Sequence, residues 1–202
     1  MKKIIINIGR QFGSGGKAVA DKIGEILGIP VYDHELLTKA AQDFGFTEEL
    51  FRDRDEKKRS LTLSSVFSSS LFGGGSYLTD DNTLFKMQAQ TIRNIAEKGS
   101  AVIVGRAADY ILRDMDCCLD VFLTSPLSVR AKRVSERMGM PLEKAQDFIV
   151  KKEKEREDFY NCFTFGNWGV ASTYDLCVDT SLLGVDGTAG FIIEFAKLSS
   201  KI

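Results

Sequence analysis

Short apolar runs recur along the chain, separated by stretches whose apolar residues fall three or four positions apart. This is the pattern of buried strands alternating with amphipathic helices. The first run, IIINIGR over residues 4–10, is β-branched and empties into QFGSGGK, a glycine-rich turn that ends at Lys17. AVADKIGEILG then places Val19 or Ala20, Ile23, Ile26 and Leu27 on one helical face, with Gly28 as the stop. A short strand is predicted over 29–32, ending in Asp33, and HELLTKAAQDFG resumes as a helix with Leu36, Leu37, Ala40, Ala41 and Phe44 inward. Residues 83–98 read as a helix burying Leu84, Met87, Ile92, Ile95 and Ala96. AVIVGR follows, short and apolar enough for a fully buried parallel strand that delivers Gly105 and Arg106 to the carboxyl edge of a sheet.

The alternation continues with a short helix over 107–113, a strand over 117–124 (CCLDVFLT) and a helix over 127–138 opened by Ser125-Pro126. After a further helix come an aromatic-rich loop over 159–168, a last strand over 176–179 and a terminal helix over 188–198. Such a succession predicts an α/β fold, a mainly parallel sheet covered on both faces. One stretch breaks the rhythm. Residues 47–59 are densely charged, and the following stretch to about residue 82 is rich in Ser and Gly, which reads as a flap that covers something or as an ordinary linker.

Two helices carry cations in rows. Over 127–138, Leu127, Ala131, Val134 and Met138 form a core stripe, with Arg130, Arg133 and Arg137 beside it. In the next helix Leu142, Ala145 and Ile149 are apolar, and the same face continues as Lys152 and Arg156. A face that turns from core to cation aims those cations at a cleft or an edge. Pairing with Glu153, Glu155, Glu157 and Asp158 along the helix is the other reading.

Composition narrows the chemistry. The 202 residues suit one domain, and 27 Lys plus Arg against 28 Asp plus Glu give no global attraction to nucleic acid or acidic membranes, so any anion site is local. No apolar stretch is long enough for a membrane span or a signal segment. Cys117, Cys118, Cys162 and Cys177 form no CxxC pair and read as reduced core residues of a cytoplasmic protein. With His34 as the single histidine, a multi-histidine metal site is excluded, and a serine–histidine triad would have to use that residue.

The glycine-rich turn is the strongest chemical signal. Glycines let successive N–H groups converge on one anion where a helix begins, and a lysine adds a mobile charge. Of the pattern G-x-x-x-x-G-K-[ST], Gly16 and Lys17 match, whereas Gln11 and Ala18 stand where a glycine and a hydroxyl belong. A plain strand-to-helix turn remains the alternative. Asp33 sits at a strand's carboxyl end, where open α/β sheets collect ligands, and equally reads as a helix N-cap.

Three blocks, GRQFGSGG, EKGSAVIVGRAADYIL and FGNWG with YDLCVDTS, give the chain a resemblance to the cytidylate-kinase-like branch of the P-loop nucleoside monophosphate kinases. The resemblance covers nearly the whole sequence. It implies a three-layer P-loop fold with a five-stranded parallel core (1–33, 83–124 and 174–202), a helical acceptor-binding region or flap at about 34–82 and a lid at about 126–170, all within one domain. It further implies that Gly13, Ser14, Gly15, Gly16, Lys17 and Ala18 form the donor-phosphate loop, and that Arg130 and Arg133, at the start of the lid, also bind the nucleotide phosphates. The acceptor would be held by Asp33, Arg106 and Asp109, and catalysis would fall to Lys17, Arg106, Lys152 and Arg156. Lys152 and Arg156 stand where true cytidylate kinases place arginine and aspartate respectively. The implied reaction is ATP- and Mg²⁺-dependent phosphoryl transfer to a small acceptor such as CMP or dCMP. With no hydroxyl at Ala18, Mg²⁺ is left to nucleotide oxygens, water and Asp33 through water. A nucleotide-binding sensor that has lost its chemistry, and a kinase of a non-nucleotide metabolite, are the alternatives. The resemblance leaves room for a homo-oligomer.

Overall fold

The computed structural model describes residues 2–36 and 81–201. Five strands, β1 (Ile5–Arg10), β2 (Val31–Tyr32), β3 (Ala101–Val104), β4 (Cys118–Thr124) and β5 (Leu176–Asp179), form one sheet in the order β2-β3-β1-β4-β5. Every pairing is parallel, as expected, with Ile5 opposite both Ala101 and Cys118. The helices are α1 (Gly16–Leu27), α2 (Asp81–Lys98), α3 (Ala108–Ile111), α4 (Leu127–Met138), α5 (Leu142–Thr164) and α6 (Thr180–Leu198).

The β-branched run of β1 lies at the centre because it is apolar on both faces, and Ile5, Ile6 and Ile8 are fully buried. On one face Ile6, Ile8, Val102, Leu119 and Val121 pack with Val19 and Ile23 of α1 and Ile192 and Ala196 of α6. On the other, Ile5, Ala101, Ile103 and Cys118 pack with Ile92 of α2 and Ile111 of α3. Strand alternation places Asn7 and Gly9 on that second face beyond Ile5, with Asp120 and Phe122 beside them. Asn7 Nδ2 donates to Asp120 Oδ1 at 2.8 Å, so this face changes from apolar to polar towards the carboxyl ends.

Several expected details differ. Ile26 is 52% exposed; α1 instead turns Gly24 inward, where a Cβ would come 2.3 Å from Val31 Cγ2. Leu127, Met138 and Leu142 are exposed as well. The reason is that α4 and α5 pack chiefly on each other through Ala131, Val134, Ala145 and Ile149, a stripe too narrow to include them. Residues 159–164 are helical, not loop, because Phe159 and Phe163 are four apart and both meet Phe85 from one helical face. The terminal helix starts earlier, at Thr180, and breaks at Gly184. Cys118 is buried, but Cys162 and Cys177 are exposed, so they are not core residues; all four thiols are free.

Residues 34–36 begin a helix. The rest of that predicted helix, the charged stretch and the Ser/Gly-rich flap lie outside the described residues. Among the described residues, no helix is long and apolar enough to cross a membrane.

Candidate active site

β1 ends at Arg10, and residues 11–15 turn the chain into α1. Gly13 and Gly15 have φ of +82° and +88°, conformations in which a side chain would strain the backbone. Gly15 is the N-cap of α1, and no side chain caps that end. The first-turn N–H groups of α1 therefore have no intrahelical acceptor and keep their positive potential for an anion. The loop carbonyls, in contrast, are taken up by protein donors. Arg130 Nη1 donates to Phe12 O at 3.1 Å and Arg133 Nη1 to Ser14 O at 3.0 Å. The Thr180 hydroxyl also donates to Ser14 O, and Ser14 Oγ donates to Gln11 O. Ala18 is exposed on the first turn and contributes no oxygen.

Lys17 pairs with Asp21 Oδ1 at 2.5 Å and Asp33 Oδ2 at 3.4 Å. Partial burial works against its charge, but the two carboxylates outweigh that and raise its pKa, so the ammonium stays charged. Asp33 does two things at once. Its Oδ1 accepts the N–H groups of Glu35 and Leu36, both at 3.1 Å, as an N-cap, while Oδ2 faces Lys17. Burial favours its neutral form; the Leu36 N–H, Lys17 and the Glu35 N–H overcome this and hold the carboxyl below its ordinary range.

Beside the loop lies a cavity of about 440 Å³. Gly105, Arg106 and Ala107, all with positive φ (77°, 64° and 54°), turn the chain at the end of β3 so that Arg106 and Ala107 line it. Two successive non-glycine residues in this region store roughly 1–3 kcal/mol each, a strain that recurs at ligand sites. Arg10 from β1 and Arg137, Lys152 and Arg156 from α4 and α5 also line the cavity. Arg156 Nη1 donates to Arg10 O at 3.0 Å, and its guanidinium lies 5.0 Å from the Phe12 ring centroid. Burial first, and then mutual repulsion, lower the pKa values in this cluster. Arg10 is held well below its ordinary value, by burial first and then by Arg156 and Arg106 against the pull of Asp33; Arg106 and Arg156 are brought to about 10 and remain cations at neutral pH.

A second set of lining groups is acidic and aromatic. Tyr160 Oη donates to Asp109 Oδ2 at 2.7 Å. Burial raises the Asp109 pKa, opposed by that hydrogen bond. Trp168 and Tyr174 complete this part of the wall, packed on Phe122. His34 lines the cavity too, and burial together with Arg106 and Arg10 lowers its pKa to about 4 against the pull of Asp33. Because it is the only histidine, its imidazole proton NMR resonance should titrate near pH 4 instead of near 6.5. A midpoint above 6 would mean that the guanidinium cluster is not beside it.

Of the residues singled out from sequence, Arg106, Asp109, Lys152 and Arg156 thus meet in the cavity, although Lys152 also pairs with Glu155 at 2.6 Å. Arg130 and Arg133 lie behind the loop, not in the cavity, and Arg130 is further tied to Glu153 at 2.8 Å. Over residues 5–182 the sequence matches the cytidylate kinase-like family. The chain belongs to that family. Cytidylate kinase of Pyrococcus horikoshii is 26% identical over 192 residues, spanning 94% of this chain and 86% of the relative. A crystal structure of a Eubacterium ventriosum protein aligns with a TM-score of 0.74 at 31% identity, covering 96% of this chain and 99% of that one. Shikimate kinase of Bacteroides thetaiotaomicron shares the fold, with a TM-score of 0.54 at 15% identity over 98% of each chain.

The fold is accordingly of the P-loop NTPase type, and the protein is a nucleoside monophosphate kinase-like phosphotransferase. In this cytidylate kinase-like chain, sequence reasoning did not single out Arg10, His34, Tyr160 or Tyr174 as site residues. Arg10 stood inside the quoted GRQFGSGG block, so its signal was present without a role. The two tyrosines carried none, since an aromatic late in a helix, as Tyr160, or just before a strand, as Tyr174, reads equally as core.

Proposed function

We propose that the protein transfers the γ-phosphoryl group of ATP to a nucleoside monophosphate, with CMP or dCMP the first acceptors to test. The observation that carries this reading is the adjacency of an uncapped helix N-terminus bearing Lys17 to a cavity lined by Arg10, Arg106 and Arg156. The loop, Gly13 to Ala18, holds the donor phosphates through backbone N–H groups and Lys17. Arg106 grips the acceptor phosphate, and Asp109, oriented by Tyr160, takes a hydrogen-bond donor of the acceptor. An oxygen of the acceptor phosphate attacks the γ-phosphorus with a lone pair, and the bond from that phosphorus to the β,γ-bridging oxygen breaks, its electron pair leaving with ADP. The protein's share is positioning and charge stabilisation.

The uncapped loop and the charged Lys17 fit ATP. A bound Mg²⁺ would supply neutralisation of the phosphate charge. Among the described residues no cluster of three or more His, Cys, Asp or Glu could hold a metal; Asp33 is the residue of this chain that would hold the ion, through water, beside nucleotide oxygens. We assign α4 and α5 to the lid, whose Arg137, Lys152 and Arg156 close on the transferring charge and exclude water. Four free thiols suit a reducing cytoplasm.

A second reading, a nucleotide-binding module without turnover, is favoured by the missing hydroxyl at Ala18. Purified protein incubated with Mg²⁺-ATP and a panel of monophosphates should form a diphosphate from at least one of them. ATP binding with no diphosphate from any acceptor would sink the kinase reading and leave the second.

A further inference from the structure

Arg10 occupies an unusual place between the two halves of the site. Its stem lies against the first residue of α1: a Cβ on Gly16 would come 2.9 Å from Arg10 Cβ. Its guanidinium ends against the residue preceding Arg106: a Cβ on Gly105 would come 1.8 Å from Arg10 Nη1 and 2.8 Å from Cζ. One side chain therefore spans from the donor helix N-terminus to the strand end that presents the acceptor arginine, and only glycine fits at each end. Along this path it lines the cavity. Arg156 holds its backbone carbonyl, and the repulsion of Arg156 and Arg106 on its charge exceeds the attraction of Asp33. Among the described residues no carboxylate forms a salt bridge with Arg10, whereas Arg130 of the same chain has Glu153. A half-buried cation kept beside other cations is costly unless an anion joins it.

We propose that Arg10 contacts the phosphate group in the cavity directly, completing with Arg106 and Arg156 a three-guanidinium site for a phosphate dianion at the junction with the donor loop. A planar guanidinium can hold two oxygens of one phosphate at once, which fixes the group's orientation as well as its charge. Placed between Gly16 and Gly105, Arg10 keeps the attacking acceptor oxygen facing the γ-phosphorus. The same charge follows the phosphoryl as it passes from ADP's bridging oxygen to the acceptor. The catalytic part of this assignment rests on the kinase reading; the phosphate site itself does not.

The test is therefore a binding measurement with orthophosphate and pyrophosphate on the full chain, followed calorimetrically. Wild type and Lys197→Ala, which removes an exposed charge of α6 outside the cavity, should bind alike, while Arg10→Gln should bind at least 10-fold more weakly. Arg10→Lys, which retains the charge and loses the planar fork, should fall between them. In the wild type, phosphate should also protect Arg10 from phenylglyoxal, as read by peptide mass spectrometry, so the inference is tested even where a variant fails to fold. Equal binding by wild type and Arg10→Gln, an equal loss in Lys197→Ala, or an unprotected Arg10 would overturn it. Absence of diphosphate from every acceptor, with phosphate binding and protection intact, would remove the kinase reading alone.

Discussion

Replacing Lys17 by alanine should lower kcat/KM for phosphoryl transfer by about 10²- to 10³-fold, the usual cost of removing one pre-positioned donor from a developing anion. Stability should hardly change. Lys17 and its helix partner Asp21 are half exposed and Asp33 is partly covered at the end of β2, so those pairs contribute no more than about 1 kcal/mol. Asp33 also keeps its two N–H donors when the ammonium is gone, and the helix that begins at residue 34 retains its cap. Steady-state kinetics paired with urea denaturation separates the two effects. Loss of activity accompanied by equal loss of stability would mean that Lys17 holds the loop together and does not act on phosphate.

Arg130 predicts the reverse. Its side chain is about 6% exposed, pairs with Glu153 at 2.8 Å, and donates to Ser125 O at 2.7 Å and Phe12 O at 3.1 Å. Arg130→Ala leaves the half-buried Glu153 carboxylate and two loop carbonyls without their donor, and should destabilise the fold by about 3 kcal/mol. Glu153→Gln, which keeps the shape and leaves the two carbonyl bonds in place, should cost less, about 1–2 kcal/mol. Replacing both residues by apolar ones of similar volume should recover part of the loss, because the uncompensated charge disappears. Chemical denaturation of the three variants checks the order. If Arg130→Ala is no worse than Glu153→Gln, the guanidinium is a lid cation that visits the loop and not its anchor.

These two expectations show how differently two cations that share one sequence neighbourhood of function can behave. From sequence, Lys17, Arg130 and Arg133 all read as phosphate ligands, because a motif assigns residues to a ligand by their place in the chain. Whether a guanidinium faces outward or backs the loop depends on what fills the space behind it. Here that space holds the carbonyls of Phe12 and Ser14.

By itself the sequence determined the order of strands and helices, the parallel sheet and the loop that joins β1 to α1. Those follow from local periodicity: β-branched runs buried on both faces, apolar residues at helical spacing, and glycines where the backbone adopts positive φ. It also aimed Lys152 and Arg156 at the cleft, since a helical face fixes direction once its apolar part is packed. Tertiary structure alone decided which half of each helix is covered, as with Ile26, Leu127 and Leu142, because coverage depends on the neighbour's width. It decided that residues 159–164 continue a helix, since Phe85, far away in sequence, supplies the partner for that face. It decided too that Arg10 meets Arg106 and Arg156, three residues brought from β1, the turn after β3 and α5 to one cavity. No local pattern carries that information, because the contact exists only after the strands take their places in the sheet.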